Sequence, residues 1–90
     1  RPEHVDPDLL DSAVTVLAAR PGVRAVRRVR MHWVGHQLEA DAELDVDPSL
    51  SLADANAVAH GAEHELAHSI PKLGAVIVHA FPAHGAVLSS

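Results

Sequence analysis

An α+β fold, with helices packed on one face of a small sheet in the order α-β-β-α-β, is predicted by three observations. Two segments repeat apolar residues at helical spacing, one opening at Asp6-Pro7 and the other closing at Pro71. Between them a stretch alternates apolar and polar residues, the period of half-buried strands. A final run, Ala75 to Phe81, is continuous and rich in strand-forming side chains.

Asp6 offers an N-cap and Pro7 a proline at the first helical position. Leu10, Ala13, Val14, Leu17 and Ala18 then form an apolar stripe until Arg20-Pro21-Gly22 stops the helix. From Val23 the period changes to two: Val29, Met31 and Trp33 share one face, while Arg28, Arg30 and His32 share the other. Leu38, Ala40, Ala42, Leu44 and Val46 alternate with Glu39, Asp41, Glu43, Asp45 and Asp47, and the turn between the strands lies near Gly35. Setting Trp33 opposite Leu38 places His32 by Glu39, Arg30 by Asp41 and Arg28 by Glu43. Each opposite-charge pair contributes about 0.2–1 kcal/mol, so this register is favoured on both faces. Ser51 with Asp54 resembles a capping box, and the second helix runs to about Ile70 with Leu52, Ala55, Ala59, Ala62, Leu66 and Ile70 on its inner side. The tail from Pro82 has no periodicity and is expected to fray. No repeat, linker or second domain interrupts residues 1–90, with an ordered core expected over about residues 5–82.

Ninety residues with only Trp33 and Phe81 as aromatics must build their core from Ala, Val and Leu, and a domain so limited often gains stability by dimerising. A formal charge of −5 argues against nonspecific nucleic-acid binding, which needs net positive charge. The local cluster of Arg24, Arg27, Arg28 and Arg30 reads as cross-strand pairing rather than a phosphate site. The lack of cysteine excludes disulfides and thiolate metal sites. No apolar run is long enough to span a membrane, nothing at the start reads as a signal peptide, and the abrupt opening at Arg1-Pro2 reads as a piece of something longer.

Eight histidines carry the functional signal, three of them at His60, His64 and His68, where i, i+4 spacing on a helix can chelate one ion between two rings. His64-Glu65-Leu66-Ala67-His68 also matches H-E-x-x-H, in which a glutamate serves as base beside a bound zinc. At 100° per residue the histidine stripe lies opposite the apolar side of the helix. A zinc protease needs a dry cleft and a third ligand, yet Pro71 and Gly74 stand where the longer motif asks for Gly and His. No Gly-rich phosphate loop, G-x-S-x-G or cysteine nucleophile is present, so no enzyme is expected. A solvated polar face that happens to be rich in histidine is the alternative to a metal-responsive one.

The segments VDPDLLDSAVTVLAARPGVRAV, RMHWVGHQLEADAELDVDPSLSLADANAVAHGAEHELAHSIP and VIVHAFP resemble the C-terminal cytoplasmic domain of cation diffusion facilitator transporters, over about Val5 to Pro82. The resemblance rests on the order of its signals: Pro-Gly-Val after helix one, Trp-Val-Gly-His at the hairpin, Asp-Pro-x-Leu-Ser-Leu before helix two, and Val-x-Val-His in the last strand. It implies a ferredoxin-like, metallochaperone-like fold that forms a homodimer on the cytoplasmic side of the membrane, joined there to transmembrane helices absent from this chain. It also implies binding of Zn²⁺ or another divalent transition metal that stabilises a closed dimer and promotes export.

The positions that match the family's ligands hold Arg27, Glu43, Asn56, and then His79 with Phe81. Only Glu43 and His79 keep ligand chemistry, since Arg27 repels a cation and Phe81 supplies no donor. Two outcomes stay open. Either the site has moved, with His60 and His64 supplementing Glu43 and His79 across a dimer, or the domain keeps its fold and dimer while sensing metal weakly. His79 can equally be a histidine capping an edge strand. His4, His32, His36 and His84 read as surface residues, with His4 or His84 able to take adventitious metal. An interaction module of the same fold that binds a small molecule or protein without metal, or associates in response to pH, is the second class of function.

Overall fold

The computed structural model describes residues 4–83. Helix α1 (Pro7–Ala18) starts where the sequence places it, with the Asp6 carboxylate accepting the amide of Asp8 at 2.9 Å. Its inward side is rotated from the expected stripe. Ala13 and Leu17 are fully buried with Leu9 and Val16 beside them, whereas Val14 is 41% exposed and Ala18 faces solvent. The helix rests mainly on β1 and α2, so only a narrow side of it is covered.

Strands β1 (Val23–Val34) and β2 (Gln37–Val46) pair antiparallel in the expected register, with Trp33 opposite Leu38 and Arg30 opposite Asp41. Gly35, at φ 61°, takes the left-handed conformation that a two-residue hairpin turn requires. Strict alternation does not begin at Val23. Register shifts between Val23 and Ala25 and between Val26 and Arg28 bulge the strand, and Val23, Val26 and Val29 are half-buried at a spacing of three. Each bulge inserts an unpaired residue, which carries the next side chain to the other face.

Helix α2 (Leu52–Ser69) crosses over the sheet and delivers β3 (Leu73–Pro82) parallel to β2, giving the order β1-β2-β3. The third strand therefore opens two residues before the expected Ala75. Ser51 caps α2 by accepting the amide of Asp54 at 3.0 Å. Ala59, Ala62, Leu66 and Ile70 are buried as expected, but Leu52 is 79% exposed. In the first turn it lines an open rim with Pro48, Leu50 and Pro82 instead of reaching the core.

Both helices cover the same face of the sheet. Their small buried residues meet Leu38, Ala42, Leu44 and Val46 of β2 and Val78 of β3 in one cluster. Leu17, Leu38, Leu44 and Leu66 are the largest of the fully enclosed side chains, so β2 is the spine of the domain. Trp33 packs at the edge and donates its indole N–H to the carbonyl of His4 at 3.1 Å. Close approach matters at Gly22, where φ is 92° and an added Cβ would stand 2.9 Å from a methyl of Val58. Among the described residues no helix is long and apolar enough to cross a membrane.

Candidate metal centre

The face of the sheet that the helices leave uncovered is built by alternation. Ala42 and Leu44 point into the core, so Glu43 between them points out, and buried Val78 sends His79 out in the same way. The parallel register makes Glu43 and His79 partners on adjacent strands. An imidazole and a carboxylate, both metal donors, thus stand side by side on an open surface.

On its other flank Glu43 meets Arg28 at 3.9 Å. The neighbouring rows repeat this arrangement. Arg30 Nε donates to Asp41 at 3.1 Å, His32 lies 3.8 Å from Glu39, and Arg24 lies 3.5 Å from Asp47. Arg27 donates to Asp45 and sets its guanidinium 4.5 Å from the centre of the Phe81 ring. Each arginine of the cluster therefore faces a carboxylate, as the charge pattern predicts. Arg27 and Phe81, at two positions where the resembled family places ligands, form a cation–π contact in their stead.

His60 and His64 lie elsewhere. Ala59, Ala62 and Leu66 hold α2 against the inner face of the sheet, leaving both histidines on its exposed side. Within one protomer the helix and sheet layers separate them from Glu43 and His79. His60 is drawn to Glu63, with Nδ1 3.3 Å from one carboxylate oxygen. The other oxygen of Glu63 accepts the amide of Val78 at 2.9 Å, on the free edge of β3. His64 instead meets His68, ring centres 4.9 Å apart. Among the described residues no group of three or more His, Cys, Asp or Glu side chains is gathered to hold a metal ion.

In the H-E-x-x-H match the glutamate is engaged by an arginine. Glu65, which would have to serve as base, accepts from Arg20 Nη1 at 3.3 Å. Nothing in the sequence marks Arg20 for this contact beyond its place at the close of helix one. It lies across Gly61, where a Cβ would sit 1.7 Å from its nitrogen. His84 lies outside the described residues, while His4, His32 and His36 are exposed, as expected.

Fold and surface together define a small ferredoxin-like domain that presents a metal-donor pair on its open sheet face. The family model for the cytoplasmic domain of cation efflux proteins matches residues 5–83, and the chain belongs to that family. It is 63% identical over 84 residues to a probable cation efflux system protein of Mycobacterium tuberculosis, covering 92% of this chain and 25% of that protein. It is 30% identical to the magnetosome protein MamB of Magnetospirillum gryphiswaldense, covering 92% of this chain and 28% of the relative. The chain thus spans about a quarter of the length of the curated relatives it matches. Among solved structures, the MamM CTD superposes with a TM-score of 0.82 at 23% identity, covering 86% of this chain and 98% of that one. A nickel form of a variant of the same domain superposes equally, with a TM-score of 0.82 at 22% identity over 87% of this chain and 99% of that one.

Proposed function

We propose that this chain is the regulatory domain of a divalent-cation efflux transporter, lying on the cytoplasmic side of the membrane. In this reading it forms a homodimer and senses Zn²⁺ or another divalent transition metal at or near the dimer interface. The observation that carries the reading is the Glu43–His79 pair on the uncovered sheet face, in a chain of the cation efflux cytoplasmic-domain family.

Nitrogen and carboxylate donors suit Zn²⁺, with bonds of about 2.0–2.2 Å. Two donors leave a tetrahedral ion half-coordinated, and a second copy can supply the rest. His60 and His64 of a second copy are the proposed completing donors, since inside one protomer they face away from the pair. The ion offsets the charge of Glu43 and ties two copies together, which favours the closed dimer and couples metal concentration to export. The role is one of binding, without catalysis and without a nucleic-acid partner.

Calorimetric titration of the chelator-stripped chain with Zn²⁺ tests this. A saturable component of the heat that weakens at least 10-fold in Glu43→Ala/His79→Ala supports it, about 1.4 kcal/mol or more. A flat titration of the unaltered chain overturns it. A second reading, a metal-independent interaction module, draws on Arg27, whose guanidinium already supplies a fixed cation between Asp45 and Phe81. A flat titration accompanied by a dimer in sedimentation selects that reading.

A further inference from the structure

We infer that His64 and His68 form a second metal site, carried by α2 alone and separate from the sheet face. The two residues stand one helical turn apart, and both are exposed. Zinc–nitrogen bonds of about 2.0–2.1 Å at a tetrahedral angle set two coordinated ring centres roughly 5 Å apart. The His64 and His68 rings stand 4.9 Å apart. The pair thus has the ring separation of a chelate, and rotation of the rings out of their edge-to-face contact, at an interplanar angle of 76°, is what turns their nitrogens to one ion.

The neighbouring i, i+4 pair, His60 and His64, has the same spacing in sequence but a different fate. Within one protomer His60 lies against Glu63, which also holds the edge of β3, and His64 meets His68 instead.

The surroundings favour a cation at this end of the helix. His68 lies in the last turn of α2, where unpaired carbonyls give the terminus partial negative charge. Arg20, the nearby cation, shares the same open pocket but is matched by Glu65 at 3.3 Å. Two imidazoles leave the remaining coordination positions to water. The site thus takes a late divalent transition metal, Zn²⁺ or Ni²⁺, and rejects Mg²⁺, which requires oxygen ligands.

His64 is shared with the proposed sheet site but His68 is absent from it, so the His68 signal reports this site alone. Imidazole resonances of the stripped chain are followed by NMR during titration with Zn²⁺ at neutral pH, with Mg²⁺ as control. The His64 and His68 signals are expected to move together and saturably with Zn²⁺ and to stay fixed with Mg²⁺. His64→Ala, on an exposed helical face, should weaken the His68 response at least 10-fold. Glu43→Ala/His79→Ala should leave the His68 response intact; in the unaltered chain, a silent His79 beside a responding His68 would count against the sheet site and not against this one. An unaltered His68 response in His64→Ala, or silence of His68 in the unaltered chain, overturns the inference. An edge-to-face ring contact without metal affinity would produce that silence.

Discussion

At the scale of single residues, Glu65 and Gly22 separate motif from mechanism. Glu65 matches the base of a zinc protease motif, yet it is bound to Arg20 at 3.3 Å. Glu65→Gln is therefore expected to leave zinc affinity at the Glu43–His79 pair within about twofold, because an exposed pair of this type contributes only about 0.2–1 kcal/mol and supplies no ligand there. Calorimetry of the variant checks this, and any peptidase activity lost with Glu65 would contradict it. Gly22 has the opposite character. Its φ is 92°, and a methyl of Val58 stands 2.9 Å from where a Cβ would project. Gly22→Ala should cost about 1–3 kcal/mol through backbone strain and the clash together. Urea unfolding measures it, as a lower midpoint at unchanged slope.

At the scale of elements, the hairpin was the most legible part of the chain. Alternation and charge complement fixed Trp33 against Leu38, and three cross-strand charge pairs followed from that alignment. Glu43 was legible as an outward donor and His79 as a donor on the last strand, but their adjacency was not, because the parallel pairing of β2 with β3 is created by the crossover helix. Local pattern also missed the bulges near Val23 and Val26, since a bulge leaves the composition of a strand unchanged. The Glu63 contacts stayed hidden for a related reason: a glutamate flanking a helix's apolar side gives no sign of which strand edge it will reach. Lys72, at φ 65°, carried no turn signal of the kind a glycine would have given.

The loop between β2 and α2 has a titratable clamp. Asp47 accepts the backbone amide of Ser49 at 2.9 Å and its hydroxyl at 2.8 Å. These bonds, with a smaller contribution from Arg24, hold its pKa below the usual 3.8. A carboxylate with a depressed folded-state pKa stabilises the fold above its unfolded value, and that contribution is lost as pH falls through the folded one. Asp47→Asn keeps a side-chain oxygen for the turn but cannot titrate. Its stability is expected to fall less steeply than that of the unaltered chain below about pH 4, as acid titrations followed by circular dichroism would record.

For the whole molecule, a core of Ala, Val and Leu leaves limited apolar burial, and Ile77 on the open sheet face is 54% exposed. Dimerisation without metal is the expected response, read as twice the 9.5 kDa monomer mass in sedimentation at micromolar concentration. Zinc at 100 times its Kd should then add about 2.7 kcal/mol and raise Tm at pH 7.5. The gain should shrink near about pH 5.5, because imidazole must be neutral to bind. An unchanged Tm at pH 7.5 would remove metal from the regulatory account.

The bond from Val78 to Glu63 bears on how copies of this chain avoid unwanted growth. A sheet edge is a template on which another strand can lengthen the ladder without limit. By occupying a donor in the middle of β3 with a carboxylate from its own helix, the chain places an anion where an incoming backbone carbonyl would have to dock. Closed association through the broad face is thereby left open while fibre-like extension along β3 is obstructed. Glu63→Ala should accordingly shorten the lag before thioflavin-positive aggregates appear on gentle heating, whereas a lag equal to that of the unaltered chain would show that the carboxylate guards nothing.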